Sequence, residues 1–156
     1  MAAQITFIWI GQLKNSVFVE PVALYWQRLQ RYYRLREVCL KDASGRLPAK
    51  QRVEQESQAV LNALDDRDTP ICLDHQGKAL ASTAFAQHLR SWLEEPNKRP
   101  CFIIGGAFGL SRQLKQRSRL LLSLGPLTFP HELARLILLE QVYRAATILH
   151  NHPYHN

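Results

Sequence analysis

A glycine and two prolines fall within six residues, Gly125-Pro126-Leu127-Thr128-Phe129-Pro130, between a short apolar run (Leu120 to Leu124) and a long apolar stretch from Glu132 to about His150. Proline fixes φ and removes a donor, while glycine opens positive φ, so neither strand nor helix crosses this segment. The chain must pass from strand to helix through a fixed, non-repetitive backbone. Its N–H and C=O groups lack ladder partners there and need others. A flat heteroaromatic ligand with ring nitrogens and an amino group would satisfy them. A rigid connection that binds nothing uses the same residues, and the turn alone leaves both readings open.

The rest of the chain alternates short apolar runs with helical periodicity. Strands are predicted over Gln4–Ile10, Leu35–Lys41, Pro70–Leu73, Cys101–Ile104 and Leu120–Leu124. Between them, Pro21 is predicted to open a first helix. A polar helix runs from about Lys50 to Leu64, and Ser82 caps a third that ends near Glu94. Ser111 caps a basic helix, and the last helix begins near Pro130. Leu133, Leu136, Ile137, Leu139, Val142, Ala145, Ala146 and Leu149 make that last helix apolar over more than one face, so it needs a second surface, most simply another copy of itself. Strands alternating with helices at these spacings give an α/β fold with a mainly parallel sheet flanked by helices. Without repeats or linkers, residues 1–156 form a single domain, long enough to bury a real core.

Charge narrows the partners. The net charge is +7, and from Pro96 to Asn156 eight Lys or Arg face two Glu, so +6 of the excess lies in the last third. Such a field suits a polyanion, most plausibly nucleic acid, although a basic surface also serves solubility. No apolar run reaches membrane-span length and the start lacks a basic n-region with a cleavage site, so no membrane association and a cytoplasmic location are expected. Cys39, Cys72 and Cys101 are odd in number, far apart and set in apolar runs; they read as buried thiols. His150, His152 and His155 sit at a chain end with no cysteine nearby, a poor set for zinc, so no metal is expected.

Three turns follow the third, fourth and fifth strands: Leu73-Asp74-x-x-Gly77-Lys78, Ile104-Gly105-Gly106-x-x-Gly109, and Gly125 to His131. In open α/β sheets ligands sit outside the carboxyl ends of the strands, where these turns can converge. They form neither a G-x-G-x-x-G fingerprint nor a phosphate-binding loop, which leaves a smaller adenosine ligand read by backbone groups. Taken with Gly11-x-x-Lys14, Tyr25-x-x-Arg28, Ser123, Thr128-Phe129-Pro130-His131, Glu140-Gln141-x-Tyr143-Arg144-Ala145 and Pro153-Tyr154-His155, the pattern resembles the ribosomal RNA large subunit methyltransferase H family, small members of the SPOUT superfamily, over essentially the full length.

That resemblance implies a C-terminal trefoil knot and a homodimer. It implies an enzyme that binds S-adenosyl-L-methionine in the knot and methylates N3 of a pseudouridine in 23S ribosomal RNA of the assembled ribosome. By position it gives Leu73, Gly105, Gly106, Leu124, Gly125, Pro126, Leu127, Thr128, Phe129 and Pro130 to the cofactor. Arg144, Tyr154 and His155 go to the target nucleotide, bound to the same subunit or to its partner: Arg144 to stabilise the nitrogen anion, Tyr154 to position the base, His155 to accept the proton. Arg112, Lys115, Arg117 and Arg119 would grip RNA phosphates. Two departures stand out: Ala107-Phe108 replaces an acidic residue found in some relatives, and Asn156 replaces a terminal basic one. The rival readings are a non-catalytic RNA-binding assembly factor for the ribosome and a methyltransferase of the same superfamily acting on transfer RNA.

Overall fold

The computed structural model describes residues 2–154. In chain order the elements are β1 (Gln4–Ile10), α1 (Ser16–Leu29), β2 (Arg34–Leu40), α2 (Ala49–Ala63), β3 (Asp68–Ala79), α3 (Ser82–Glu94), β4 (Arg99–Ile104), α4 (Arg112–Arg117), β5 (Leu120–Ser123) and α5 (His131–Leu149). The five strands form one parallel sheet in the order β2-β1-β4-β3-β5, as the alternation of elements predicts.

Side-chain alternation splits the central strands between two cores. Ile5, Phe7, Trp9, Ile71, Phe102 and Ile104 face α1, α3 and α5, while Ile8, Ile10, Cys72, Cys101 and Ile103 face Val60 of α2 and Leu114 of α4. Phe7 lies at the centre of the first core, stacked on Trp9 at 5.3 Å and on Phe102 at 5.6 Å between ring centroids. At the amino end of the sheet, Arg99 closes the bottom. It donates to Asp68 at 2.6 Å and also pairs with Asp65, which holds the Arg99 guanidinium and Asp68 carboxylate, both buried, in mutual satisfaction.

Four local expectations change. The helix predicted from Pro21 begins at Ser16, because the Asn15 side chain accepts from the Val17 N–H and caps the turn; Pro21 lies inside α1. Ser82 is the first helical residue of α3 and not its cap, and its hydroxyl donates instead to Gln141 Oε1 at 2.8 Å, tying α3 to α5. Cys39 is exposed, since β2 is an edge strand whose residues alternate between partial cover and solvent; Cys72 and Cys101 are buried as expected.

The fourth change shapes the molecule. The third strand does not end at Leu73 but runs to Ala79, leaving the ladder with β5 after Leu73 and rejoining it at Lys78 opposite Leu122. Residues 74–77 are thereby pushed out as a loop beside β5. A Cβ on Gly77 would lie 2.5 Å from the Leu121 carbonyl oxygen, so only glycine admits so close a pass of the two backbones. The substitution Gly77→Ala should destabilise the domain by about 1–3 kcal/mol, read as a lower urea midpoint at unchanged slope. An unaltered midpoint would mean that the loop relaxes without cost.

Candidate functional site

The carboxyl ends of β3, β4 and β5 open into one crevice of about 580 Å³. Leu73, Gly105, Gly106, Leu124, Gly125, Leu127, Thr128, Phe129 and Pro130 all line it, as do Asp74, Lys115 and His131; Pro126 belongs to the same loop but does not reach the cavity. A space of this size takes a nucleoside-sized ligand.

Each wall is fixed by a local interaction. The Ser123 hydroxyl shares its one proton between the carbonyls of His75 (3.1 Å) and Gly125 (2.9 Å) and accepts from the Gly125 N–H, so one side chain pins the loop after β5 to the loop within β3. Gly125 has φ +124°, a left-handed value that turns the chain away from the sheet. Beyond it, among the described residues, the amides of Leu127, Thr128 and Phe129 donate to no protein group. Opposite them, α2 supports the glycine loop from below. Ser57 Oγ accepts from the Ser111 N–H at 2.8 Å, and the buried Glu56 accepts from the Ala43 N–H at 3.0 Å. A Cβ on Gly106 would meet Glu56 Oε2 at 2.5 Å and one on Gly105 would meet Leu110 Cδ2 at 2.7 Å. The loop is thus packed tight beneath and bare on its cavity side. Free amides on one wall and side-chain-free backbone on the other suit a flat adenine ring and its ribose.

The floor carries charge. Asp74, whose side chain is only 7% exposed, pairs with Lys115 Nζ at 2.5 Å and accepts from the Gln76 N–H at 3.0 Å. Burial opposes its ionisation, but Lys115 and the Gln76 amide hold the carboxyl below its ordinary value. His131 presents a buried Nδ1 without a hydrogen-bond partner. Next to it, Glu132 accepts from the N–H groups of Asn15 (3.1 Å) and Lys14, and Arg135 donates to the Gly11 carbonyl at 2.8 Å with its guanidinium 4.8 Å from the Trp9 ring. The first turn of α5 is therefore bound to the loop after β1.

A second cluster forms where α1, α5 and the tail meet. Arg144 makes two hydrogen bonds to Glu140 Oε1 (3.0 and 2.6 Å) and lies 5.2 Å from the Tyr154 ring. The Tyr154 hydroxyl reaches Glu140 at 3.3 Å and the Tyr25 hydroxyl at 3.2 Å. Arg28 covers both Tyr25 (5.3 Å) and Tyr143 (5.5 Å), and the Tyr32 hydroxyl sits 2.5 Å from His152 Nδ1. The tail is thus docked on α1 as far as Tyr154; His155 lies outside the described residues. Burial and the Tyr25 hydroxyl raise the Tyr154 phenol above its usual value, so it stays protonated at neutral pH and acts as a donor.

Within one chain the two clusters are not brought together. Arg144 stands thirteen positions along α5 from His131, roughly 20 Å at the helical rise per residue. Of the basic residues singled out from α4 and its flank, Arg112, Arg117 and Arg119 are exposed, Arg119 with Glu95 at 3.8 Å, whereas Lys115 turns into the crevice. Glu56 and Glu132 carry much of this architecture and belong to no motif of the sequence, whereas Glu140 stands in the Glu140-Gln141-x-Tyr143-Arg144 motif without a role assigned to it there. For Glu56 a signal existed: it shares a helix face with Val53, Ser57 and Val60, where a carboxylate is out of place. Among the described residues no group of His, Cys, Asp and Glu could hold a metal ion, and no helix is long and apolar enough to cross a membrane.

A parallel sheet with a glycine-walled crevice at its carboxyl edge and a bare proline-bounded loop has room for a nucleoside-sized ligand, and sequence comparison gives the chain's family. The family model described as "Predicted SPOUT methyltransferase" matches residues 3–155, and the chain belongs to that family. It is 45% identical over 154 residues to a protein of Maridesulfovibrio salexigens named Ribosomal RNA large subunit methyltransferase H, covering 99% of both chains. Relatives of the same name from Lawsonia intracellularis (46% identity, 96% of this chain, 95% of the relative) and Solidesulfovibrio magneticus (43%, 96% of each) align over nearly their whole length.

Because the Asn15 and Lys14 amides hold the Glu132 carboxyl below its ordinary value, the ionised form stabilises the fold. That contribution is full above the unfolded value near pH 4 and disappears as pH falls through the lower folded value. Urea midpoints of wild type and Glu132→Gln should therefore differ most at neutral pH and converge in acid; a gap independent of pH would refute the assignment.

Proposed function

We propose that this chain is an S-adenosylmethionine-dependent methyltransferase of large-subunit ribosomal RNA, working as a homodimer on N3 of a pseudouridine in the assembled ribosome. The observation that carries the reading is the crevice, whose walls are the backbone of Gly105, Gly106 and the segment from Leu124 to Pro130, in a chain belonging to the SPOUT methyltransferases. The names of the full-length relatives give the substrate class. S-adenosylmethionine supplies an electrophilic methyl group carried on a sulfonium. Leu73, Gly105, Gly106 and the loop ending at Pro130 hold it, with bare main-chain groups meeting the adenine and ribose. The trefoil threading expected of this family is supported by β5 pairing outside β3 while residues 74–77 loop past Leu121.

The remaining work falls to the chain's own side chains. Arg144 offers a cation to the nitrogen anion that must form on the target ring, and Tyr154, kept protonated, turns its one hydroxyl proton from Glu140 to the base and so orients it. Glu140 and Tyr25 hold both in place. His155 takes the proton. The roughly 20 Å between these groups and the crevice along α5 favours a site completed across a dimer, with the tail of one subunit meeting the crevice of the other. Val17 and Leu24, 70% and 44% exposed on α1, and the partly exposed Leu133, Leu136 and Ile137 of α5 provide an apolar surface for that contact. Exposed Arg112, Arg117 and Arg119 form the salt-sensitive phosphate grip. A ribosomal substrate puts the enzyme in the cytoplasm.

Labelled methyl donor incubated in parallel with ribosomes, isolated ribosomal RNA and transfer RNA should label only the large-subunit RNA of ribosomes. Arg144→Ala should lower single-turnover methylation by about two to four orders of magnitude while leaving donor binding, measured by calorimetry, unchanged. Label in transfer RNA would point to the other superfamily substrate, and no label with no donor binding would point to an assembly factor.

A further inference from the structure

Lys115 behaves unlike its neighbours on α4. Arg112 and Arg117 point to solvent, but Lys115 turns inward to the floor of the crevice and meets a carboxylate that is almost wholly buried. Asp74 is held there on three sides: Lys115 Nζ on Oδ2 at 2.5 Å, the Gln76 amide on Oδ1 at 3.0 Å and the His75 ring at 3.7 Å. A lysine–aspartate pair gains little stability here, because the desolvation of the buried Asp74 offsets much of its attraction to the partly exposed Lys115. A role in holding α4 against β3 would be served as well by apolar contact, and Leu114 already anchors α4 in the second core.

What the pair does offer is a cation and an anion side by side, lining the same cavity as the glycine loop and the segment to His131. An α-amino acid is a zwitterion whose ammonium and carboxylate are likewise adjacent. Laid against the pair, it exchanges one ion pair for two crossed ones, with no net charge buried. Among the described residues that line the crevice, Asp74 is the one carboxylate and Lys115 the one lysine or arginine, so full opposite charges for an ammonium and a carboxylate are found here and nowhere else in it.

We propose that Asp74 and Lys115 recognise the amino-acid end of the methyl donor, Asp74 taking its α-ammonium and Lys115 its α-carboxylate. This rests on the crevice being the S-adenosylmethionine site, and it gives Lys115 a ligand other than an RNA phosphate. Since the demethylated product S-adenosylhomocysteine keeps the same end, the pair holds donor and product alike. It is indifferent to 5′-methylthioadenosine, which has the adenosine and the sulfur but no amino-acid end.

The test is calorimetry on the full chain without RNA, with S-adenosylmethionine, S-adenosylhomocysteine and 5′-methylthioadenosine as ligands, for wild type, Lys115→Met, Lys115→Arg and Asp74→Asn. Lys115→Met and Asp74→Asn should each weaken the first two ligands by about tenfold or more. Both should leave 5′-methylthioadenosine within about twofold, and Lys115→Arg should recover most of the loss. Retained 5′-methylthioadenosine binding also reports that the variants fold. Equal weakening of all three ligands in variants that keep the wild-type urea midpoint would overturn the proposal in favour of a purely structural pair. Undiminished S-adenosylhomocysteine binding would overturn it too. Failure of the wild type to bind any of the three would sink the cofactor reading itself, an outcome distinct from either.

Discussion

Between Leu73 and Lys78 the third strand steps out of register with β5 and returns, and the passage depends on Gly77 letting one backbone run against the Leu121 carbonyl. That single close approach places Asp74 on the floor of the crevice. It also puts the His75 carbonyl within reach of Ser123, whose hydroxyl in turn fixes the loop after β5. Loops of this kind are usually mobile because their polar backbone is solvated. Here the loop within β3 and the loop after β5 are tied to each other and the glycine loop rests on α2, so unpaired amides can face a ligand at little further ordering cost.

The helical layer supplies the rest of the rigidity. With both faces of the sheet covered, β4 is buried throughout and β1 from Ile5 onward, and the glycine loop inherits that order from Ile104 on one side and from Ser57 and Glu56 beneath. At the other wall, Glu132 and Arg135 bind the first turn of α5 to the loop after β1. Both attachments use charged groups on backbone amides or carbonyls, which are stronger than neutral hydrogen bonds and more directional.

Much of the parallel order is legible in the sequence because buried strands read as short β-branched runs punctuated by glycine and proline, and two of the three turns that line the crevice stand at strand ends. What escaped was non-local. The extent of β3 depends on a register shift against a strand some fifty residues later, and nothing in Asp74-His75-Gln76-Gly77 announces it. Lys115 read as one of four equivalent basic residues, since a six-residue helix gives no clue to which of its side chains turns inward. The start of α1 was obscured by Pro21, a strong signal for a first turn that here sits a turn and a half inside. The distance between Arg144 and the loop before His131, by contrast, follows from helical rise alone, which by itself separates the two clusters within one chain.

From His131 to Leu149 the last helix contains neither proline nor glycine, so it has no built-in point at which to bend. Its first turn borders the crevice and its final third holds Arg144, beside the docked tail. A displacement at either end is therefore transmitted along the whole rod, as in a lever without a joint. A push on the docked tail would be felt at the mouth of the cavity as a tilt of its rim.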